Sequence, residues 1–296
     1  MARVRHGIVI LPQQDWPAAG RRWRLAEEYG FDHAWTYDHL SWRSLADQRW
    51  HATIPTLTAA AMVTTRIGLG LFVASPNFRH PVPFAKELAT LDDIAGGRVL
   101  VGVGSGGTGF DAYVLGQPEL SPRERHGRFI EFAEALDTLL RFEQPGSGGI
   151  SFDGDWFTSR SARMVGAPAR HPRMPLLIAG NGPKTIRFAA NHGDGWVTTG
   201  GNEDDRERWW FELAVLARRF EDEYAASGRQ GDIPRFVSID IESAYSLASF
   251  ASYEDAVSRA ETLGFTDVVA HWPREDGIYA GDESVLAEVA DKLLQA

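Results

Sequence analysis

Short apolar, β-branched runs alternate with longer stretches of helical periodicity from one end of the chain to the other. The runs Val4–Leu11, His33–Tyr37, Ile67–Val73, Val99–Val103, Leu176–Ala179, Gly195–Thr199, Phe236–Ile241 and Val268–Trp272 are apolar on both faces. Strands of that kind suit a parallel sheet covered by helices. Helix starts are marked between them. Ser121-Pro122-Arg123-Glu124 has the spacing of a capping box with proline at the first helical position, and it opens the periodic run Phe129–Leu140. Ser252-Tyr253-Glu254-Asp255 and Gly182-Pro183 mark two further starts. Gly30, Gly193 and Gly264 each stand after a helical pattern and before a strand, where a left-handed residue ends a helix.

Eight strand–helix units follow in order, the last helix being Ser284–Gln295. The predicted fold is therefore α/β, a (β/α)8 TIM barrel forming one domain over residues 1–296, with a doubly wound open sheet as the rival. The least regular stretch, Gln144–Arg173, contains Gly146-Ser147-Gly148-Gly149 and then Ile150–Thr158. It reads as an insertion with a hairpin after the fourth helix, over the barrel mouth.

Composition removes several classes of chemistry. The chain has no cysteine, which excludes disulfides, cysteine-ligated zinc, iron–sulfur clusters and thiol nucleophiles. Lys plus Arg number 30 against 40 for Asp plus Glu, a balance that argues against nucleic acid as a partner. No apolar run approaches the roughly 18 residues of a membrane span. The stretch Ile8–Leu11 stops at Pro12-Gln13-Gln14-Asp15, too short for a signal-peptide core, so a soluble cytoplasmic protein is expected.

In a barrel, functional groups gather where the strands end. Asp38 and His39 follow the second strand; a histidine there can move a proton near neutral pH, or the pair can simply satisfy loop backbone. Ser75-Pro76-Asn77 after the third strand marks an abrupt turn. After the fourth strand, Gly102-Val103-Gly104-Ser105-Gly106-Gly107-Thr108-Gly109 contains the GxGxxG spacing twice. No helix opens at once, so a dinucleotide fingerprint is disfavoured, although the glycines would let backbone amides approach a ligand. Asn181-Gly182-Pro183-Lys184-Thr185 puts a helix start and a lysine after the fifth strand, an anion site in which the hydroxyls of Thr198 and Thr199 would share. Trp35, Trp42, Trp196 and Trp272 fall near strand ends; most are expected to pack the core, while some would offer flat faces to a planar ligand. The nine histidines form no HxH or HExxH pair, so no metal is expected.

Several of these segments together resemble the luciferase-like monooxygenase superfamily, in particular its coenzyme F420 (deazaflavin)-dependent oxidoreductases. The resemblance is carried by Asp38-His39, by Gly68–Pro81 running into Ala89–Val103, by Gly104–Gly107, and by Ala179–Pro183 with Gly193-Asp194-Gly195-Trp196. It implies a barrel with an insertion, a homodimer, and a tricyclic ring in the mouth backed by a cis non-prolyl bulge near Phe72-Val73. It further implies that Asp38, Ser75, Ser105, Gly106, Asn181, Gly182, Lys184 and Thr185 contact the ring or its tail, with the phosphate at the helix start and Thr198 and Thr199 beside it. His39 corresponds to the proton donor or acceptor, and Trp42 to a tryptophan that shields the reacting carbon. Two positions depart from the sugar-phosphate dehydrogenases of that family: Gly107 replaces their catalytic glutamate, and Gly201 or Asn202 their phosphate-binding lysine.

The expected function is hydride transfer between coenzyme F420 and a small organic substrate. Two alternatives remain: an FMN-dependent monooxygenase using O2, and a barrel that binds a flavin without catalysis.

Overall fold

The computed structural model describes residues 3–107, 109–141, 146, 148–166, 168–201, 205–240 and 244–295. Within them the strands are β1 (Arg5–Val9), β2 (His33–Thr36), β3 (Gly68–Ala74), β4 (Val99–Gly104), β5 (Ile150–Asp153), β6 (Thr158–Ala162), β7 (Leu176–Ala179), β8 (Gly195–Thr198), β9 (Arg235–Ser238) and β10 (Asp267–His271). The helices are α1 (Trp16–Glu28), α2 (Thr53–Ala61), α3 (Pro81–Ile94), α4 (Phe110–Val114), α5 (Pro122–Leu140), α6 (Pro183–His192), α7 (Arg206–Ser227), α8 (Phe250–Thr262) and α9 (Glu283–Val289). Eight parallel strands close a barrel in the order β1-β10-β9-β8-β7-β4-β3-β2, and β5 and β6 form a separate antiparallel hairpin. Every residue of β2, β8 and β10 is buried, which is why these strands show no polar alternation in the sequence.

By packing, the chain divides into two compact units: residues 1–11, 17–35 and 177–296, and residues 12–16 and 36–176. In the first, Trp196 stacks on Phe220 with ring centroids 4.8 Å apart and on Phe265 at 5.8 Å. A polar cluster occupies the starts of its strands. His33 Nε2 lies 2.9 Å from Asp267 Oδ1, Arg5 Nε approaches the same oxygen at 2.9 Å, and Trp35 Nε1 donates to His33 Nδ1 at 2.6 Å. Burial alone would raise the Asp267 pKa, but the bonds from His33, with Arg5 and Thr266, hold it below the usual carboxylate value.

In the second unit, Phe84 stacks on Phe132 at 6.1 Å. Ser121 and Glu124 complete the capping box that starts α5, as their spacing predicts. The hairpin is tied to α5 by the Glu131 carboxylate, whose Oε1 accepts the Phe157 N–H at 2.7 Å and whose Oε2 accepts that of Trp156 at 3.1 Å.

Three local expectations differ from the structure. α8 begins at Phe250, because the Ser249 hydroxyl accepts the Ser252 N–H at 3.1 Å and caps the helix one turn ahead of the expected start. Gly30 and Gly264 are left-handed (φ +90° and +79°), as their place after a helix requires. Gly193 is not: its φ is −73°, and it is glycine because a Cβ would lie 2.8 Å from the Gly195 carbonyl oxygen and 2.9 Å from that of Ala189. The last helix is shorter than expected, α9 passing into a π-helical turn at Ala290–Leu294. Gln144 and Ser147 of the insertion, Thr108 of the glycine loop and Ile241 lie outside the described residues.

Candidate active site

The second unit carries Asp38, His39, Arg79, Asp111 and Arg128. Asp38 is buried just beyond β2, and both of its oxygens are held by Arg79, at 2.6 Å to Nη2 and 3.1 Å to Nε. The Arg79 guanidinium also reaches Glu87 at 3.0 Å and stacks over Phe78 and Phe84 at 4.7 and 4.8 Å. Asp38 is therefore occupied by a cation and does not orient its sequence neighbour. The partner of His39 comes from α4 instead: Nδ1 lies 2.7 Å from Asp111 Oδ2, and Asp111 Oδ1 accepts the Leu40 N–H at 2.7 Å. The Asp111 carboxylate is buried while the imidazole is half-buried. The loop backbone is fixed from two sides, by Trp50 Nε1 donating to the His39 carbonyl (2.9 Å) and by the Thr53 hydroxyl donating to that of Tyr37 (2.8 Å). Trp42 is half-exposed, edge-on to Tyr37 at 5.2 Å, with the Arg43 guanidinium 5.1 Å over its ring.

At the end of β3 the Phe72–Val73 peptide is cis, where the family resemblance places it. The pairing with β4 slips between Leu71 and Ala74, so the strand bulges. Gly102 of β4 makes room for the bulge, since a Cβ there would stand 2.6 Å from both the Leu71 carbonyl oxygen and Val73 Cγ1. Phe72 is buried, Val73 half-buried. Ser75 is buried, and its hydroxyl accepts a long 3.4 Å bond from the Asn77 N–H.

Asn77 ties this turn to the glycine loop. Its Nδ2 donates to the Gly106 carbonyl at 3.1 Å, and its Oδ1 accepts Arg128 Nη2 at 2.5 Å. Gly106 has φ +68°, and a Cβ on it would overlap the Asn77 amide at 2.2 Å. Gly109, with φ +67°, is the N-cap of α4. The GxGxxG spacing is thus accounted for by a turn and a close approach. Ser105 is half-buried, and Gly107 is exposed with no side chain to offer.

Arg128 was not singled out by the sequence. It is buried in α5, its hydrogen bonds go to the neutral amides of Asn77 and Gln117, and its Nε has no partner. Burial, with Arg125 nearby, pulls its pKa below the ordinary arginine value. The available signal was a basic residue adjoining the apolar run that begins at Phe129.

The first unit carries hydroxyl, amide and backbone groups. The Thr198 hydroxyl donates to Asn181 Oδ1 at 2.7 Å and accepts the Gly200 N–H at 3.0 Å, while Asn181 Nδ2 donates to the Gly200 carbonyl. Thr198 is buried, and its proton is used within this loop, so it organises the loop and has no proton left for an anion. The Thr199 side chain is exposed, and its carbonyl accepts Trp209 Nε1 at 3.2 Å. α6 opens at Pro183 with Gly182 as its N-cap, and no side chain caps it. Lys184 is exposed and Thr185 half-buried. Gly201 offers no cation, and Asn202 lies outside the described residues.

The tryptophan expectation narrows to one residue. Trp35, Trp196 and Trp272 are buried, with their indole N–H groups on His33 Nδ1, the Gly180 carbonyl and Glu283; of the four, Trp42 alone is half-exposed. Sequence reasoning also missed a further histidine–aspartate pair, His271 at the end of β10 and Asp240 just beyond β9, with Nδ1 and Oδ2 at 2.8 Å. No helix among the described residues is long and apolar enough to cross a membrane.

The chain is 37% identical over 179 residues to the F420-dependent glucose-6-phosphate dehydrogenase of Beutenbergia cavernae, a match covering 60% of this chain and 51% of that protein. It thus spans about half the length of that relative. It is 27% identical over 280 residues to the 5,10-methylenetetrahydromethanopterin reductase of Methanopyrus kandleri, covering 92% of this chain and 74% of the relative. In fold it superposes on an F420-dependent secondary alcohol dehydrogenase with a TM-score of 0.80 at 17% identity, covering 98% of each chain. Residues 1–241 match the luciferase-like monooxygenase family, to which the chain therefore belongs.

Proposed function

We propose that the protein is an oxidoreductase that uses coenzyme F420 to exchange a hydride with a small organic substrate, with His39 carrying the accompanying proton. One observation carries this reading: a half-buried imidazole is held at Nδ1 by a buried carboxylate, which directs Nε2 away from that carboxylate. The name of the Beutenbergia cavernae relative supports the choice of cofactor.

The residues present fit such a group. The start of α6 has no side-chain cap and carries an exposed lysine, which suits a phosphorylated tail. Lys184, Thr185, Thr199 and the amides after Gly182 would hold it, with Asn181 and Thr198 fixing the loop behind. The bulge at Phe72-Val73, with Ser75, Ser105 and Gly106, would back and edge the ring. Asp38 acts through Arg79, holding the turn after β3 against the loop after β2. When bound, the deazaflavin supplies the hydride donor or acceptor. His39 Nε2 would take the hydroxyl proton of an alcohol or return it to a carbonyl oxygen, and Trp42 would keep water from the reacting carbon. The bare backbone at Gly107 and Gly201 favours a substrate other than a sugar phosphate.

The test is titration of the purified protein with F420 and with FMN, one at a time, then assay with a panel of alcohols and carbonyl compounds. Saturation by F420 at micromolar levels, turnover without O2, and its loss in His39→Ala are expected. Saturation by FMN alone with O2-dependent turnover would replace the reading by a monooxygenase; binding without turnover across the panel, by a non-catalytic barrel.

A further inference from the structure

We propose that Asp111 is a positioning residue that fixes the tautomer of His39, and that the glycine loop after β4 exists to deliver it. The proposal rests on the reading of His39 as the proton carrier and adds the group that makes it competent. An ionised carboxylate only accepts hydrogen bonds, so a neutral imidazole facing one carries its proton on the facing nitrogen. Asp111 Oδ2 faces Nδ1 at 2.7 Å, which leaves the Nε2 lone pair for substrate. The carboxylate cannot swivel, because Oδ1 is held by the Leu40 N–H at the same distance.

The chain reaches this position by two left-handed turns. Gly106 turns against Asn77, and Gly109 starts α4, which places Asp111 in its first turn. Asn77 Nδ2 donates to the Gly106 carbonyl at 3.1 Å, and Gln117 Nε2 donates to the Asn77 carbonyl at 2.8 Å, so the segment is tied to Asn77 at both ends. The glycine spacing that resembles a phosphate loop thus serves a histidine 72 residues away from Asp111 in sequence.

Asp111→Asn is the sharp test, because it keeps the shape. The amide oxygen of this variant would take the Leu40 N–H and turn its NH2 toward Nδ1, driving the ring proton to Nε2, where it blocks proton acceptance. Ring 15N spectra of histidine-labelled protein, with His39→Gln to assign the resonances, should show Nδ1–H in the wild type and Nε2–H in Asp111→Asn. Turnover should fall roughly 10³- to 10⁴-fold, the scale seen when a catalytic histidine is held in the wrong tautomer. KM and F420 affinity should stay within about 2-fold, as for any change that acts only on the transition state. Asp111→Ala should lose less activity than Asp111→Asn; a merely structural role would reverse that order, since alanine also abandons the Leu40 N–H.

Nε2–H in the wild type, or the same tautomer in both proteins, overturns the proposal. The wild-type spectrum decides alone if the variant fails to fold. Full turnover in Asp111→Asn with an inactive His39→Ala overturns this inference only. Full turnover in His39→Ala overturns the functional reading and leaves the spectral result standing.

Discussion

Three histidine–aspartate pairs with nearly the same separation differ in what they leave open. His39 meets Asp111 at 2.7 Å, His271 meets Asp240 at 2.8 Å and His33 meets Asp267 at 2.9 Å. Exposure separates them: the imidazole of His39 is 21% accessible, against 1% for His271 and 2% for His33. His33 has both ring nitrogens occupied, one by the Trp35 indole and one by Asp267. His271 is stacked on Tyr279 at 3.8 Å, and Asp240 also accepts the backbone N–H groups of His271 and Ser246. These two pairs fasten strand ends and loops. A histidine–carboxylate pair becomes chemistry only where one ring nitrogen stays within reach of a ligand.

That contrast can be broken by mutation. His39→Ala should cost turnover roughly 10²- to 10⁴-fold. His33→Ala should retain turnover below the melting range: it removes a principal partner of buried Asp267, and urea unfolding should report a loss of about 3–5 kcal/mol. Equal losses of turnover in the two variants would erase the distinction.

His6 supplies the next effect. Burial lowers its pKa from 6.5 to about 4, against the opposing charge of Asp32, and its Nδ1 bonds the Tyr253 hydroxyl at 2.9 Å. Between those pH values the unfolded chain binds the proton and the folded one does not. Stability therefore falls as pH drops from 6.5 to 4 and is unaffected by this group above 6.5. The group accounts for about 3 kcal/mol over that window, and His6→Phe should flatten the profile of unfolding free energy against pH.

Smaller effects are expected where hydroxyls and an exposed cation serve. Thr198→Val removes the hydroxyl that bridges Asn181 Oδ1 and the Gly200 N–H, and it should weaken F420 binding about 5- to 10-fold. Lys184→Ala should weaken it less than about 3-fold, with the difference vanishing at high salt. An effect of Lys184→Ala exceeding that of Thr198→Val would show that charge, and not loop organisation, dominates there.

The barrel was legible because parallel strands buried on both faces write themselves as unbroken apolar runs, and the capping box at Ser121 because it is local. Gly193 was misread because a glycine required by close packing looks like one required by left-handed backbone. At the site, the bulge at Phe72-Val73 followed from resemblance, whereas the pairing of the charges did not. Asp38 adjoins His39 in sequence yet binds Arg79, and Asp111 lies far along the chain. Sequence adjacency says nothing about which carboxylate meets which base once a strand end turns. Arg128 escaped for the same reason, its amide partners being supplied by distant loops.

Hydride exchange with a deazaflavin held in this barrel is the step on which the proposed function depends. Its most direct measurement is the fluorescence titration of the purified protein with F420, run beside FMN. One saturable site per chain at micromolar F420 is expected, weakened by Thr198→Val and indifferent to His39→Ala. Failure of F420 to saturate the protein, or saturation by FMN alone, would contradict it.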